Sequence, residues 1–143
     1  MRKTETCGAF SLRESLFAYI GSQYGGAPEY LWARFPDYAV FRHAENRKWF
    51  ALVMDVPRRR LGLPGTGTVD LLNVKLTDPL LVDLLLRQPG YLRGYHIRSD
   101  SWVSVLLDGT VPFEDVCHML DLGWQATAPG RSRKPRPDPS LQA

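Results

Sequence analysis

Cysteine is scarce in this sequence, and long apolar runs are missing from it. The two cysteines, Cys7 and Cys117, lie far apart among 143 residues, so the chain lacks the disulfide framework of small secreted proteins. No apolar segment approaches the ~20 residues that a membrane-spanning helix needs. The first ten residues also lack the apolar centre of a secretory signal. We therefore expect a cytoplasmic protein with no membrane association.

Catalytic and metal-binding signatures are missing as well. His43, His96 and His118 have no histidine or cysteine three or four residues away, which is the spacing that local zinc sites use. There is no Gly-x-Ser-x-Gly motif for a nucleophilic serine. The glycine-rich segment 62–68 leads into a predicted strand and lacks the Gly-Lys-Ser/Thr of a phosphate-binding loop. We predict a protein that is not an enzyme and carries no metal or other cofactor.

The net charge of +3 is concentrated at one end of the sequence. Residues 125–143 contain four basic side chains and one acidic one, whereas residues 1–124 contain fourteen of each. Four prolines and the absence of large aromatic residues predict that 125–143 is a disordered basic tail. We assign a single domain to residues 1–124. A body without net charge still binds a polyanion if its basic residues share one face.

Hydrophobic patterning predicts an α+β fold. Ser11 and Glu14 form a capping box for a first helix, and prolines at 79 and 112 begin two more, the last ending at Gly123. Strand-like patterns cover Tyr30–Arg34, Tyr38–His43, Lys48–Asp55, Thr68–Lys75 and Ser101–Leu107. Short connections between consecutive strands favour an antiparallel sheet with the helices packed on one face.

Basic and aromatic side chains are interleaved along the chain. Seven of the sixteen aromatic residues lie in the segment from Tyr30 to Phe50. Lys48 and Lys75 lie at the ends of apolar predicted strands, where both could project from one rim of the sheet. Candidate nucleic-acid-binding residues are the basic side chains of predicted loops and strand ends: Arg42, Lys48, Arg58, Arg59, Arg60, Lys75, Arg93 and Arg98. Candidates for base stacking or for a ligand groove are Trp32, Tyr95, His96 and Trp102.

Each candidate also has a purely structural explanation. The three consecutive arginines fit a solvated loop slightly better than a phosphate site. Trp102 adjoins an apolar strand, and such a residue more often packs in a core than binds a ligand. His96 is more often a hydrogen-bonded structural residue, and lysines at strand ends commonly keep their charge in solvent.

An ordered set of segments resembles the MmcQ/YjbR family. These segments are Glu29–Trp32, Phe35–His43, Lys48–Met54, Val69–Lys75, Gly90–Leu92, Tyr95-His96, Trp102 and Leu106–Pro112. They follow the family order and spacing over about residues 10–124. The resemblance implies a double-wing α+β fold, similar in outline to CyaY-like and secretion-chaperone-like folds. It also implies DNA binding, but it supplies no catalytic or base-contacting residue.

Two functions remain open at this point. The first is a non-enzymatic DNA-binding domain, which requires the basic residues to share a face. The second is a protein- or small-ligand-binding module with a chaperone-like fold. It requires Trp32, Tyr95 and Trp102 to line an open groove. The partner is accordingly DNA or another protein, and the sequence does not determine the oligomeric state.

Overall fold

The computed structural model describes residues 11–95 and 101–129. Within them lie helices α1 (Leu12–Tyr24), α2 (Pro79–Leu86) and α3 (Phe113–Thr127), and a short 3-10 helix (Arg58–Leu61). The strands are β1 (Ala39–Arg42), β2 (Trp49–Pro57), β3 (Thr68–Lys75), β4 (Tyr91–Arg93) and β5 (Trp102–Leu106). They form one sheet in the order β1-β2-β3-β5-β4, and every neighbouring pair is antiparallel. The predicted α+β fold with an antiparallel sheet is confirmed.

Two helix starts follow directly from local sequence. The Ser11 hydroxyl accepts from the Glu14 N–H, and the Glu14 carboxylate accepts from the Ser11 N–H, both at 3.1 Å. This capping box satisfies two backbone donors that the first turn of α1 would otherwise leave unpaired. The Asp78 side chain likewise accepts from the Leu80 N–H at 3.0 Å, with Pro79 in the first turn of α2.

The three helices pack on the same side of the sheet, which we call the helix face. Its core contains fully buried side chains from α1, α3 and four strands: Leu16, Ile20, Phe41, Phe50, Val53, Leu72, Val74, Val103, Val105 and Leu120. Gly123 of α3 lies so close to the sheet that an added Cβ would be 2.9 Å from the Val74 Cβ. The helices therefore cover one face only, as the sequence predicts.

The opposite side of the sheet, the loop-covered face, has an apolar core of its own. Its buried side chains are Val40, Leu52, Met54, Val56, Val69, Leu71 and Leu106. No helix longer than the 3-10 turn contributes to this cluster in the described part of the chain. Instead, partly buried residues of loops and strands pack against it: Trp32, Tyr38, Trp49, Leu61, Leu63, Leu92 and Tyr95.

The predicted strand at Tyr30–Arg34 is wrong. In the segment that precedes β1, pairing with that strand is limited to Glu29, which makes two 2.9 Å backbone hydrogen bonds with Val40. The chain then makes two successive turns, in which the Phe35 N–H donates to the Trp32 carbonyl and the Tyr38 N–H donates to the Phe35 carbonyl. These turns use the backbone groups that a strand would need for pairing.

The predicted end of the last helix is also wrong. Gly123 is an interior residue of α3, which continues to Thr127. Glycine is needed there for the close approach to the sheet and not for a left-handed cap. Thr127 is buried, and its hydroxyl donates to the Gly123 carbonyl at 2.8 Å. The folded body therefore extends past residue 124, and residues 130–143 of the predicted tail lie outside the described residues.

Two features are absent from residues 11–95 and 101–129. No helix in this part of the chain has both the length and the apolar character to cross a membrane. The same residues contain no cluster of three or more histidine, cysteine, aspartate or glutamate side chains suited to a metal ion.

Candidate functional site

Strand directions separate the predicted basic residues into two groups. Because neighbouring strands run antiparallel, β1, β3 and β4 end at the same end of the sheet at which β2 and β5 begin. This end carries four of the basic candidates, and we call it the lysine end: Arg42, Lys48, Lys75 and Arg93. The arginines of the 3-10 helix follow the last residue of β2 and lie at the opposite end of the strands, which we call the triplet end. The basic candidates within the described residues are therefore divided between two opposite ends of the sheet.

Four side chains of the lysine end form a row across the loop-covered face. Arg42 of β1 is paired with Trp49 of β2, and Lys75 of β3 is paired with Trp102 of β5. Alternation along each strand puts these residues on the same face as Val40, Leu71 and Ser104. Cations and indole rings thus alternate over four adjacent strands, and we call this set the cation–aromatic row.

A register shift brings Trp49 into the row. Phe41 pairs with Ala51, but the next residue, Arg42, pairs with Trp49, so one residue of β2 is skipped. The skipped residue, Phe50, is fully buried in the helix-face core. Such an irregularity re-aims side chains locally, and here it places the Trp49 ring on the loop-covered face beside Arg42.

Arg42 is the more constrained cation of the row. Its Nε donates to Glu29 Oε1 at 3.2 Å, and its guanidinium carbon lies 5.9 Å from the centroid of the Trp49 ring. Arg47 approaches the second oxygen of the same Glu29 carboxylate at 3.7 Å. The Glu29 carboxylate is therefore shared by two guanidinium groups, and this corner keeps an excess of positive charge.

Lys75 and Trp102 complete the row at its other side. Both side chains are half-buried, and Lys75 makes no ion pair within residues 11–95 and 101–129. Gly94 lies next to Trp102, and a Cβ at Gly94 would be 2.9 Å from the Trp102 Cβ. The missing side chain leaves room for the Cβ and backbone of Trp102.

A series of buried hydrogen bonds holds the backbone of Tyr95 near the row. The Tyr95 N–H donates to Ser104 Oγ at 3.0 Å, and that hydroxyl donates to Asn73 Oδ1 at 2.5 Å. Asn73 in turn donates to the Leu52 carbonyl at 3.2 Å. Ser104 and Asn73 are fully buried, so these hydrogen bonds are needed to offset the cost of burying their polar atoms. They hold the backbone of Tyr95 against the sheet.

The three arginines at the triplet end have different roles from one another. Arg58 donates from Nε to the Pro64 carbonyl at 2.7 Å and thereby closes the loop that precedes β3. Burial raises the pKa of Asp108, but hydrogen bonds from Thr110 together with the positive charge of Arg58 leave that pKa below its ordinary value. Arg59 and Arg60 are exposed.

Carboxylates are concentrated near the triplet end. Asp55 and Asp70 are directly opposite each other in the β2–β3 pair. Arg13 of α1 contacts Asp70 at 3.4 Å and also donates to the Asp37 carbonyl. Burial raises the pKa of Asp70, the Asp55 charge raises it further, and Arg13 offsets part of the rise. The triplet end is therefore less suited to a polyanion than the row at the lysine end.

A cleft of about 330 Å³ lies where the triplet end meets the loop-covered face. Its lining contains two arginines, three aromatic rings and a carboxylate, together with Pro36, Pro57 and Thr68: Arg34, Arg60, Phe35, Tyr38, Tyr95 and Asp55. Phe35 and Tyr38 are stacked, with ring centroids 4.6 Å apart. Burial raises the pKa of Tyr38, nearby Tyr95 and Asp55 add to the rise, and Arg60 opposes it.

The predicted aromatic candidates converge on the loop-covered face. Trp32 packs edge-on against Tyr38 and Trp49, at centroid distances of 5.9 and 5.8 Å. Trp32, Tyr95 and Trp102 are all half-buried, so none of them is lost in the core. His96 and Arg98 lie outside the described residues.

Sequence reasoning missed several residues of this face. Trp49 stands in the segment rich in aromatic residues, but its facing depends on the skipped residue in β2. The sequence patterns predict Arg34 at the end of one strand, Phe35 just after it and Tyr38 at the start of the next strand, and turns place all three in the cleft instead. The proline at 36 was the available signal, because proline disrupts strand pairing.

Comparison with known proteins identifies relatives along most of this chain. The model of the YjbR family matches residues 21–126. The uncharacterised protein YyaQ of Bacillus subtilis (strain 168) is 36% identical over 115 residues, which is 80% of this chain and 97% of that protein.

Solved structures agree with that match. A crystal structure of a Pseudomonas syringae protein has 36% sequence identity and a TM-score of 0.77, covering 81% of this chain and 98% of that one. A Deinococcus radiodurans protein has 22% identity and a TM-score of 0.61, covering 84% of this chain and 80% of that one. At that identity, the Deinococcus structure supports the fold alone.

Proposed function

This chain belongs to the YjbR family, and on that premise we propose that it is a non-enzymatic, cytoplasmic protein that binds DNA. We place the contact on the loop-covered face and centre it on the cation–aromatic row. Lys48 and Arg93 lie at the same end of the sheet and extend the positive charge around the row. Arg58 is excluded from the contact because it holds its own loop together.

The observation that carries this proposal is the alternation of cations and rings over four strands. Positive side chains bind phosphates of any sequence, and aromatic faces bind bases. A sheet fixes both groups before the ligand arrives, so little side-chain freedom is lost on binding. The shared Glu29 carboxylate holds Arg42 in position at the cost of part of its charge.

The test is a titration of labelled DNA with the full chain at several salt concentrations. Neutralising Lys75 with Lys75→Gln is expected to weaken binding to all sequences. It should also reduce the slope of log affinity against log salt by about 0.7–1, the value of one phosphate contact. The basic tail is controlled in the full chain by replacing Arg131, Arg133, Lys134 and Arg136 with glutamine in a parallel series.

A matched control is available on the other side of the molecule. Arg87 is exposed and follows α2, which packs on the helix face. Arg87→Gln removes the same charge and should leave both the affinity and the salt slope unchanged. Equal effects of the two substitutions, or a salt response that disappears with the tail charges, would reject the proposal.

A second candidate is favoured by the cleft at the triplet end. Two guanidinium groups beside stacked Phe35 and Tyr38 suit a small ligand that combines a planar ring with an anionic group. This would make the protein a small-ligand-binding module. Binding of a mononucleotide that is lost in Arg60→Gln and unaffected by Lys75→Gln supports this candidate over DNA binding at the row.

A further inference from the structure

We infer that the nucleic acid bound by the loop-covered face is a single strand, with its bases stacked on the rings of that face. This inference rests on the proposed function and specifies its ligand. Three features of the face support it: the order of side chains in the row, the exposed rings of the loop before β1, and the composition of the cleft.

The row places one ring between its two cations and a second ring at its outer end. Trp49 lies between Arg42 and Lys75, and Trp102 lies beyond Lys75. A duplex presents phosphates and sugars to a flat surface, because its bases are stacked on one another inside the helix. Indole rings between the cations would then face charged or polar groups and gain little. A single strand offers unpaired base faces to the same rings.

The loop before β1 presents further apolar surface. Tyr30, Leu31 and Phe35 are exposed by 54%, 45% and 48%. Exposed aromatic residues that adjoin one another mark a surface for an interaction more often than isolated ones do. Phe35 is stacked on Tyr38, so its outer face is already oriented for another planar group.

The cleft suits a base better than it suits a phosphate alone. Arg34 and Arg60 supply positive charge at its rim, whereas Asp55 contributes a carboxylate that repels a phosphate. A carboxylate accepts hydrogen bonds from the amino group of a base. A flipped or unpaired base therefore satisfies rings and carboxylate together while its phosphate lies at the arginines.

The length of the face is compatible with a short oligonucleotide. Trp32 joins the row to the cleft, because its ring contacts Trp49 of the row and Tyr38 of the cleft at centroid distances of 5.8 and 5.9 Å. Two such ring contacts correspond to about four nucleotides at about 3.4 Å per nucleotide. An oligonucleotide of about twelve nucleotides should cover both ends of the face.

The experiment compares one such oligonucleotide as a single strand and as a duplex, with the full chain at fixed salt. We expect the single strand to bind at least about tenfold more tightly. Phe35→Ala should weaken single-strand binding by about fivefold to 100-fold, the range for loss of one stacked base. Phe35→Leu keeps apolar bulk without a ring and should show the same loss, which separates stacking from misfolding.

The matched control is Leu80→Ala. Leu80 is an apolar side chain of α2, exposed by 73%, and α2 belongs to the helix face. It should leave single-strand binding unchanged. Duplex binding that equals or exceeds single-strand binding, and that still depends on Lys75, would overturn this inference and leave the proposed function standing. If neither form binds, both fail.

Discussion

Gly123 has no side chain, and the packing of α3 on the sheet depends on that fact. A Cβ at this position would lie 2.9 Å from the Val74 Cβ and 3.1 Å from the Phe50 carbonyl oxygen. Both neighbours are fully buried, so neither has space to move away. Gly21 of α1 is different, because its nearest neighbour would be the Gly26 carbonyl oxygen at 3.9 Å.

The two glycines give a matched pair of substitutions. Gly123→Ala should lower the free energy of unfolding by about 1–3 kcal/mol, the usual cost of overpacking a core. Gly21→Ala should raise it by about 0.5–1 kcal/mol, because alanine favours the helix and meets no obstacle. Urea denaturation of both variants measures the difference. A stabilising effect at Gly123 would show that α3 does not pack as described.

His43 is a buried residue that links the sheet to α3. Its Nε2 lies 3.0 Å from the Trp124 carbonyl oxygen and 2.9 Å from Thr127 Oγ1. A carbonyl can only accept, so Nε2 carries a proton and donates to the Trp124 carbonyl. Burial lowers the pKa of His43, and Lys48 lowers it too, while the Trp124 carbonyl and Glu45 oppose the shift.

A depressed histidine pKa makes stability depend on pH in a defined direction. The unfolded chain then binds more protons than the folded one as pH falls below the ordinary histidine pKa, about 6.5. The free energy of unfolding should therefore decrease between about pH 7 and 5, by about 1.4 kcal/mol for each unit of pKa difference. His43→Gln should lose this component of the pH dependence. Denaturation at several pH values measures it. If the free energy of unfolding of His43→Gln falls with pH as steeply as that of the unsubstituted protein, the assignment is contradicted.

Whole elements show how far sequence reasoning reaches. The start of α1, the bounds of β3 and the cap of α2 depend on neighbouring residues, and all three were predictable. The role of Gly123 depends on a distant partner, because a Cβ there would contact Val74. The turns that replace the predicted strand at Tyr30–Arg34 are local, and the proline at 36 is a signal for them. The limit met at Gly123 also applies to the candidate site. The face of the sheet on which the Trp49 side chain lies is set by a register shift, and no local sequence pattern encodes that shift.

The loop after β2 is the element whose role changes most between sequence and structure. Its three arginines suggested a phosphate site, but Arg58 ties the loop to itself through the Pro64 carbonyl. Arg58→Ala should therefore lower the free energy of unfolding by about 0.5–1.5 kcal/mol, the net contribution of a typical hydrogen bond. Arg59→Ala, the neighbouring exposed arginine, should stay within about 0.5 kcal/mol. Thermal denaturation of the pair decides, and equal effects would return Arg58 to the candidate binding residues.

At the scale of the whole molecule, the two faces of the sheet are covered in different ways. The helix face holds the larger core and the buried contacts of His43 and Gly123. The loop-covered face is closed by loops and side chains only, and it carries the cation–aromatic row and the cleft. Ligand binding on the second face therefore need not disturb the packing that stabilises the fold.

The four tryptophans report directly on this division. Trp32, Trp49 and Trp102 lie on the loop-covered face, whereas Trp124 of α3 stacks on Tyr24 at 4.2 Å on the helix face. The decisive measurement is an NMR titration of the isotope-labelled full chain with a single-stranded oligonucleotide, following the indole N–H signals. We predict saturable shifts of the Trp49 and Trp102 signals and an unchanged Trp124 signal. Binding that leaves the Trp49 and Trp102 signals in place, or that shifts only Trp124, would contradict the account.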